Sequence, residues 1–130
     1  MEIENDYLWI ATWGDGIIKM NTKDYSFQIF TEKNSGLLYN AIYDIEIDNN
    51  GTKWFATMLG INKFDGNSWT TITSTEEDFD QTICSISIDT KGDIWGLNKN
   101  SVIARYDGIQ QAKIIFSLLR TEHIVYLPSK

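Results

Sequence analysis

The sequence predicts an all-β fold of about three repeated, four-stranded antiparallel sheets, and three observations carry that prediction. A near-repeat runs through the chain as Asn5-Asp-Tyr-Leu-Trp-Ile-Ala-Thr-Trp-Gly-Asp-Gly, Asp48-Asn-Asn-Gly-Thr-Lys-Trp-Phe-Ala-Thr-Met-Leu-Gly and Asp89-Thr-Lys-Gly-Asp-Ile-Trp-Gly-Leu-Asn. Trp9, Trp54 and Trp95 mark its equivalent positions at spacings of 45 and 41 residues, the range of four-stranded propeller blades. No segment shows a convincing helical period, and only residues 117–121 could hold a single turn. The expected architecture is one partial β-propeller domain, with its first blade incomplete.

The first blade covers about residues 5–31. Residues 7–13, 17–20 and 26–31 supply its second, third and fourth strands, while its inner strand is missing or reduced to residues 1–4. The second blade, about residues 41–73, is the cleanest. Tyr43-Asp-Ile-Glu-Ile alternates apolar and polar residues as an inner strand does. Asp48-Asn-Asn-Gly51 is a turn signal. Lys53–Met58, Gly60–Phe64 and Ser68–Thr73 follow as strands, with Asp65-Gly66-Asn67 turning the last hairpin. The third blade, about residues 82–117, repeats this order with inner strand Ile83–Ile88, then Asp93–Asn98, Val102–Tyr106 and Ala112–Ser117. Beyond it, His123–Leu127 would suit an inner strand, stopped by Pro128. That tail could complete the first blade of a second copy; alternatively the chain is an excerpt of a longer propeller.

Composition bounds the rest. Hydrophobic residues at 42% and charged residues at 22% fit a soluble globular domain. No apolar run approaches the roughly 18–20 residues of a membrane span. The acidic N-terminus lacks the basic and apolar regions of a secretory signal, so the chain is expected to be cytosolic or cut from a longer precursor. A single cysteine excludes an intrachain disulfide. Cys84 lies in the alternating run Ile83-Cys-Ser-Ile-Ser-Ile and reads as a small buried hydrophobe. A net charge of −7 argues against nucleic acid as partner. Residues 1–100 carry 16 acidic against 7 basic side chains, whereas residues 101–130 carry 4 basic against 2 acidic.

The segment Gly36-Leu-Leu-Tyr-Asn-Ala-Ile-Tyr-Asp-Ile-Glu-Ile-Asp-Asn-Asn-Gly-Thr-Lys-Trp-Phe-Ala-Thr-Met-Leu-Gly-Ile-Asn-Lys-Phe-Asp-Gly-Asn-Ser-Trp resembles the two-component regulator propeller repeat. The resemblance covers about residues 5–117. The third repeat departs from it, with Gly96-Leu-Asn98 where the others read Ile10-Ala-Thr12 and Phe55-Ala-Thr57. It implies a propeller in the extracytoplasmic sensor half of a hybrid histidine kinase, often recognising glycans. Similar repeats also occur in streptogramin lyase, whose chemistry needs a catalytic histidine at the channel. A sialidase-type Asp box fails by one residue at Ser87-Ile-Asp-Thr-Lys-Gly-Asp-Ile-Trp, and no WD40 pairs occur.

Candidate chemistry is sparse. The three repeat tryptophans read as blade-to-blade packing, with stacking on sugars as the alternative. Asp48 and Asp89 lack the closing glutamate of a calcium loop and read as caps on turn amides. His123, the only histidine, assembles no nucleophilic triad or zinc set. No catalytic residue, metal or cofactor is expected. Glu76–Asp80 reads as a solvated acidic loop, with a cation or amine-ligand site as the alternative. Binding residues concentrate on loops carried by a rigid scaffold. In a propeller, the loops after the second strands share one face with the blade-to-blade connections. The candidate ligand-binding residues are therefore Trp13, Asp15, Tyr39, Met58 and Asn100, presented to a glycan or small molecule. Trp13 has an alternative place, folded into the blade interface. The expected function is a non-catalytic ligand-sensing or binding module, with a structural or protein-interaction segment as the alternative and a lyase as the weaker one.

Overall fold

The computed structural model describes residues 1–73, 80–107, 111–117 and 125–128, with side chains for the first two stretches. The described residues form thirteen strands and no helix. β1 (Glu2–Glu4), β2 (Tyr7–Ala11), β3 (Ile17–Asn21) and β4 (Phe27–Phe30) make the first sheet in sequence order. β5 (Ile42–Ile47), β6 (Lys53–Thr57), β7 (Ile61–Phe64) and β8 (Trp69–Ile72) make the second. β9 (Ile83–Ile88), β10 (Ile94–Asn98), β11 (Val102–Tyr106), β12 (Gln111–Ser117) and β13 (Val125–Pro128) make the third. Every neighbouring pair is antiparallel. These are propeller-like blades, meandering from inner to outer strand as short connections favour.

The first blade does have an inner strand, in the reduced form: three residues paired as Glu2 with Trp9, Ile3 with Leu8 and Glu4 with Tyr7. The tail differs from expectation. Residues 125–128 pair with β12, so they extend the third sheet outward rather than form an inner strand. A hairpin onto the adjacent strand closes a shorter loop than any contact across the arc. Pro128 fits there because an edge strand leaves its missing N–H unneeded. His123 and the suggested turn at 117–121 lie, apart from Ser117, outside the described residues.

Cys84 also differs: it is exposed. In β9, Ile83 opposes Asn98 and Ser85 opposes Leu97, leaving Cys84 as the unpaired residue of a β-bulge. The extra residue breaks simple alternation, so Ile83 and Ile86 are buried three positions apart. β5 has the same device. Ile42 opposes Thr57 and Asp44 opposes Ala56, with Tyr43 between them, and again Ile42 and Ile45 are buried.

Each blade presents two faces because side chains alternate across a strand. One face carries the repeat tryptophan and packs on the next blade. Trp9, Ile17, Ala11 and Phe30 of the first blade meet Ile42, Ile45, Phe55, Phe64 and Trp69 of the second. This junction is aromatic, with Trp9–Phe30 and Phe55–Trp69 stacked at 5.8 Å between ring centroids. Trp54, Ala56, Ile61 and Ile72 of the second blade meet Ile83, Ile86 and Ile94 of the third, a mainly aliphatic junction. Trp9 is 1% and Trp54 6% exposed. Trp95 is half-buried, because no described blade covers its side of the third sheet.

Behind the second and third tryptophans lies one repeated turn. Asp48 Oδ1 accepts from the N–H groups of Asn50 and Thr52 at 2.9 and 3.0 Å, and Oδ2 accepts from Trp54 Nε1 at 3.0 Å. Asp89 does the same with Lys91, Asp93 and Trp95 at 2.9, 3.0 and 2.9 Å. Gly51 and Gly92 close these turns at φ of 77° and 88°, the left-handed region that glycine enters freely. Both aspartates thus cap turn amides, as expected. The bond from Trp95 is the main reason the Asp89 carboxyl titrates below the usual carboxylate range.

Candidate functional site

The loops after the second strands lie at one end of the sheets, beside the connections that enter the next blade. Backbone bonds hold the two sets together. Gly16 donates to the Asn40 carbonyl at 2.9 Å, and Ile42 donates to Thr12 at 2.8 Å. One junction on, Gly60 donates to Gln81 at 2.7 Å and Lys99 to Thr82 at 3.0 Å. Thr82 Oγ1 also reaches the Met58 carbonyl at 3.5 Å.

The same local device builds the first two loops. Thr12 Oγ1 donates to the Gly16 carbonyl at 2.8 Å and accepts from Asp15 N–H at 2.9 Å. Thr57 Oγ1 donates to Gly60 at 3.1 Å and accepts from Leu59 N–H at 3.0 Å. Gly16 and Gly60 sit at positive φ against the carbonyls of Phe30 and Ile72, where a Cβ would stand 2.1 Å from oxygen. The third blade departs here, as Gly96-Leu-Asn98 foreshadows. Asn98 replaces the threonine, its Oδ1 accepting from Asn100 and Val102 N–H at 2.9 and 2.8 Å. Ser101 takes the glycine position at φ 63°.

On this scaffold Trp13 is 84% exposed. The place inside the blade interface is therefore not the one it takes. Tyr39 and Met58 are partly exposed at 42% and 45%, and Asp15 and Asn100 are exposed. The bonds described bring Trp13, Asp15 and Tyr39 to the first junction. Met58 stands at the second, and Asn100 on the loop of the third blade. Leu38, 44% exposed, joins the first group; its Gly36-Leu-Leu-Tyr context could have marked it. Of the acidic run, residues 76–79 lie outside the described residues. Asp80 accepts from Thr82 N–H at 2.8 Å, which lowers its pKa, and pairs with Lys99 at 3.1 Å.

Sequence reading missed a cation in every blade. Lys19, Lys63 and Arg105 stand across the ladder from Trp9, Trp54 and Trp95. Their charged groups lie 5.3, 5.2 and 5.7 Å from the indole centroids, within cation–π range. A basic residue nine or ten positions after each tryptophan was the available signal. Lys19 also covers Tyr7 at 4.2 Å and lines a shallow depression with Ser26, Phe27 and Gln28, at the opposite end of the strands from the loops. Among the described residues, no group of three or more His, Cys, Asp or Glu side chains could hold a metal ion.

No family model matches the chain, and no curated protein does. Solved structures do. The extracellular domain of a protein described as a hybrid two-component system, BT3049 from B. thetaiotaomicron, superposes with a TM-score of 0.68 at 21% identity, over 92% of this chain and 14% of that one. The extracellular domain of a protein described as a one-component system, BT4673 from the same organism, gives 0.65 at 14% identity, over 95% of this chain and 21% of that one. The chain thus spans a small part of the structures it matches. At these identities the likeness establishes a shared fold, and both matched domains are extracellular parts of regulatory systems.

Proposed function

We propose that this chain is a non-catalytic binding module of a propeller that works in extracytoplasmic sensing. Its loop face takes a glycan or a small polar molecule with a flat apolar side. The observation that carries this reading is Trp13: a tryptophan left 84% exposed on a loop fixed by Thr12, Gly16 and Asn40. Leaving so large an apolar ring in water contributes nothing to folding. A flat ring on the loop that also carries Asp15, bonded through Gly16 to the connection that carries Tyr39, suits a sugar, whose apolar face stacks while its hydroxyls seek acceptors. The likeness to extracellular domains of regulatory systems supports the same direction.

A glycan array followed by calorimetric titration of the best binder tests it. Trp13→Ala and Asp15→Ala should each weaken binding by at least roughly tenfold, about 1.4 kcal/mol, with an unchanged Tm. An affinity indifferent to both changes would overturn the reading. So would a Trp13→Ala chain that unfolds, because the ring would then be a packing residue.

A further inference from the structure

We propose that the depression around Lys19 on the first blade is a binding site for a small aromatic carboxylate. It lies at the opposite end of the strands from the loop face and is lined by Tyr7, Lys19, Ser26, Phe27 and Gln28. These residues come from β2, β3, β4 and the turn before β4. The volume is about 220 Å³, below the roughly 300–1,000 Å³ of pockets for drug-sized ligands. The occupant is therefore a single small ring.

The first and third blades fill the same two positions differently. Lys19 and Arg105 each stand across the ladder from the repeat tryptophan, 5.3 and 5.7 Å from its ring. Two residues before that tryptophan the third blade has Asp93 and the first has Tyr7. Asp93 Oδ2 accepts from Arg105 Nε at 2.9 Å, so the third blade supplies its own carboxylate. Tyr7 offers Lys19 a ring face at 4.2 Å instead. The second blade has Thr52 there, neither ring nor carboxylate. A ring face attracts an ammonium and holds it in place, but gives its N–H groups no oxygen to donate to.

Lys19 is thus a positioned cation whose anion is not built in. Lys23, Lys53, Lys99 and Arg105 each pair with a carboxylate; among the described residues Lys19 pairs with none. The acids beside the depression are engaged elsewhere. Asp6, next to Tyr7, pairs with Lys23 at 2.8 Å, and Asp24 accepts from Ser26 N–H and Oγ at 2.9 and 2.6 Å. Gln28 stands directly across the ladder from Lys19, and its exposed amide is a donor for the second oxygen of the same carboxylate. Tyr7 and Phe27, 38% and 66% exposed, give the site aromatic walls for a planar ring.

Titration of the amide ¹⁵N–¹H spectrum with sodium benzoate, and separately with benzamide, tests the site. Benzoate should give saturable shifts centred on residues 7, 19 and 26–28. Benzamide has the same shape without the charge and should bind at least roughly tenfold more weakly. Lys19→Met should weaken benzoate by a similar factor at an unchanged Tm. Tyr7→Asp, which copies the third blade by giving the cation an internal partner, should abolish the shifts. Benzamide binding as tightly as benzoate overturns the proposal, and this comparison needs no variant. So do benzoate shifts centred on residues 13–16, the absence of any saturable shift, or an affinity that survives Lys19→Met or Tyr7→Asp.

Discussion

The first and second blades place a tryptophan at the same ladder position and treat its indole N–H in opposite ways. In the second blade, Asp48 follows the inner strand, caps a five-residue turn and accepts from Trp54 Nε1. In the first blade the turn is only Asn5-Asp6, and Glu4 stands where Asp48 does. Its carboxylate goes instead to Lys53 of the second blade, 2.5 Å away, and Lys53 Nζ lies 5.0 Å over the Trp9 ring. Trp9 Nε1, almost wholly buried, finds no acceptor among the described residues. A repeat unit thus keeps its apolar faces and trades its polar anchor: the second and third blades anchor within the turn, the first anchors across the junction. Packing defines the blade, and the hydrogen bonds are local solutions.

The largest test of that view removes the ring itself. Trp54→Ala should cost about 3–5 kcal/mol if the site cannot collapse, and Trp95→Ala clearly less, because Trp95 is only half-buried. Equal losses by chemical denaturation would mean that the turn, not the junction, makes the tryptophan important.

Removing the anchor should cost less than removing the ring. Asp48→Ala leaves two turn amides and one indole N–H without their acceptor. A loss of about 1–3 kcal/mol is expected by the usual cost of an unsatisfied buried donor. Glu4→Ala should leave Trp54 fluorescence untouched and expose the Lys53 charge instead. A blue- or red-shift shared by both variants would erase the distinction between the two anchors.

The loops sharpen the comparison at a second place. Ser101 adopts φ 63° where Gly16 and Gly60 stand in the other blades. The left-handed region costs a residue with a Cβ roughly 1–2 kcal/mol, so Ser101→Gly should raise stability, by up to about 1 kcal/mol after glycine's own chain entropy. Gly60→Ser should lower it by more, since its Cβ would meet the Ile72 carbonyl. A destabilised Ser101→Gly chain would show that the Asn98 bonds have made serine the fitted residue.

The smallest effects are titrations. Burial, then the nearby Glu2 and Asp44 carboxylates, raise the Glu46 pKa. The folded chain then holds this proton where the unfolded chain has lost it, so stability falls as pH rises through and above the ordinary glutamate range. Glu46→Gln should therefore raise Tm slightly at neutral pH and leave it unchanged in acid. Asp89 has the opposite sign. Its lowered pKa stabilises the fold above the ordinary aspartate range and is lost as pH falls below about 4. Asp89→Asn should flatten that acid limb of the melting curve.

The strand order was legible because turn residues and β-branched runs recur at the blade period, and the packing of Trp9 and Trp54 followed from their shared place. Burial inside the inner strands was not. A one-residue bulge at Tyr43 and at Cys84 shifts the buried positions from every second to every third residue, and alternation alone cannot reveal a bulge. The tail's partner was equally hidden, since a strand's sequence shows that it pairs but not with which edge. On the loop face, the pattern picked out Trp13 as the residue that departs from the other repeats, yet exposure depends on where the loop turns. The cations over the indoles escaped notice because they sit on the third strands, whose register against the second is fixed only once the hairpins form.

The opposite fates of Trp9 and Trp54 can be measured directly by replacing each with phenylalanine and comparing stabilities in urea. Both changes remove similar apolar bulk from a junction, but only Trp54→Phe strands a carboxylate that had an indole partner, while Trp9→Phe deletes a buried N–H that had none. The expected result is a loss at Trp54 larger than that at Trp9 by at least about 1 kcal/mol. Equal losses, or a larger one at Trp9, would contradict the claim that the first blade carries its tryptophan without an anchor.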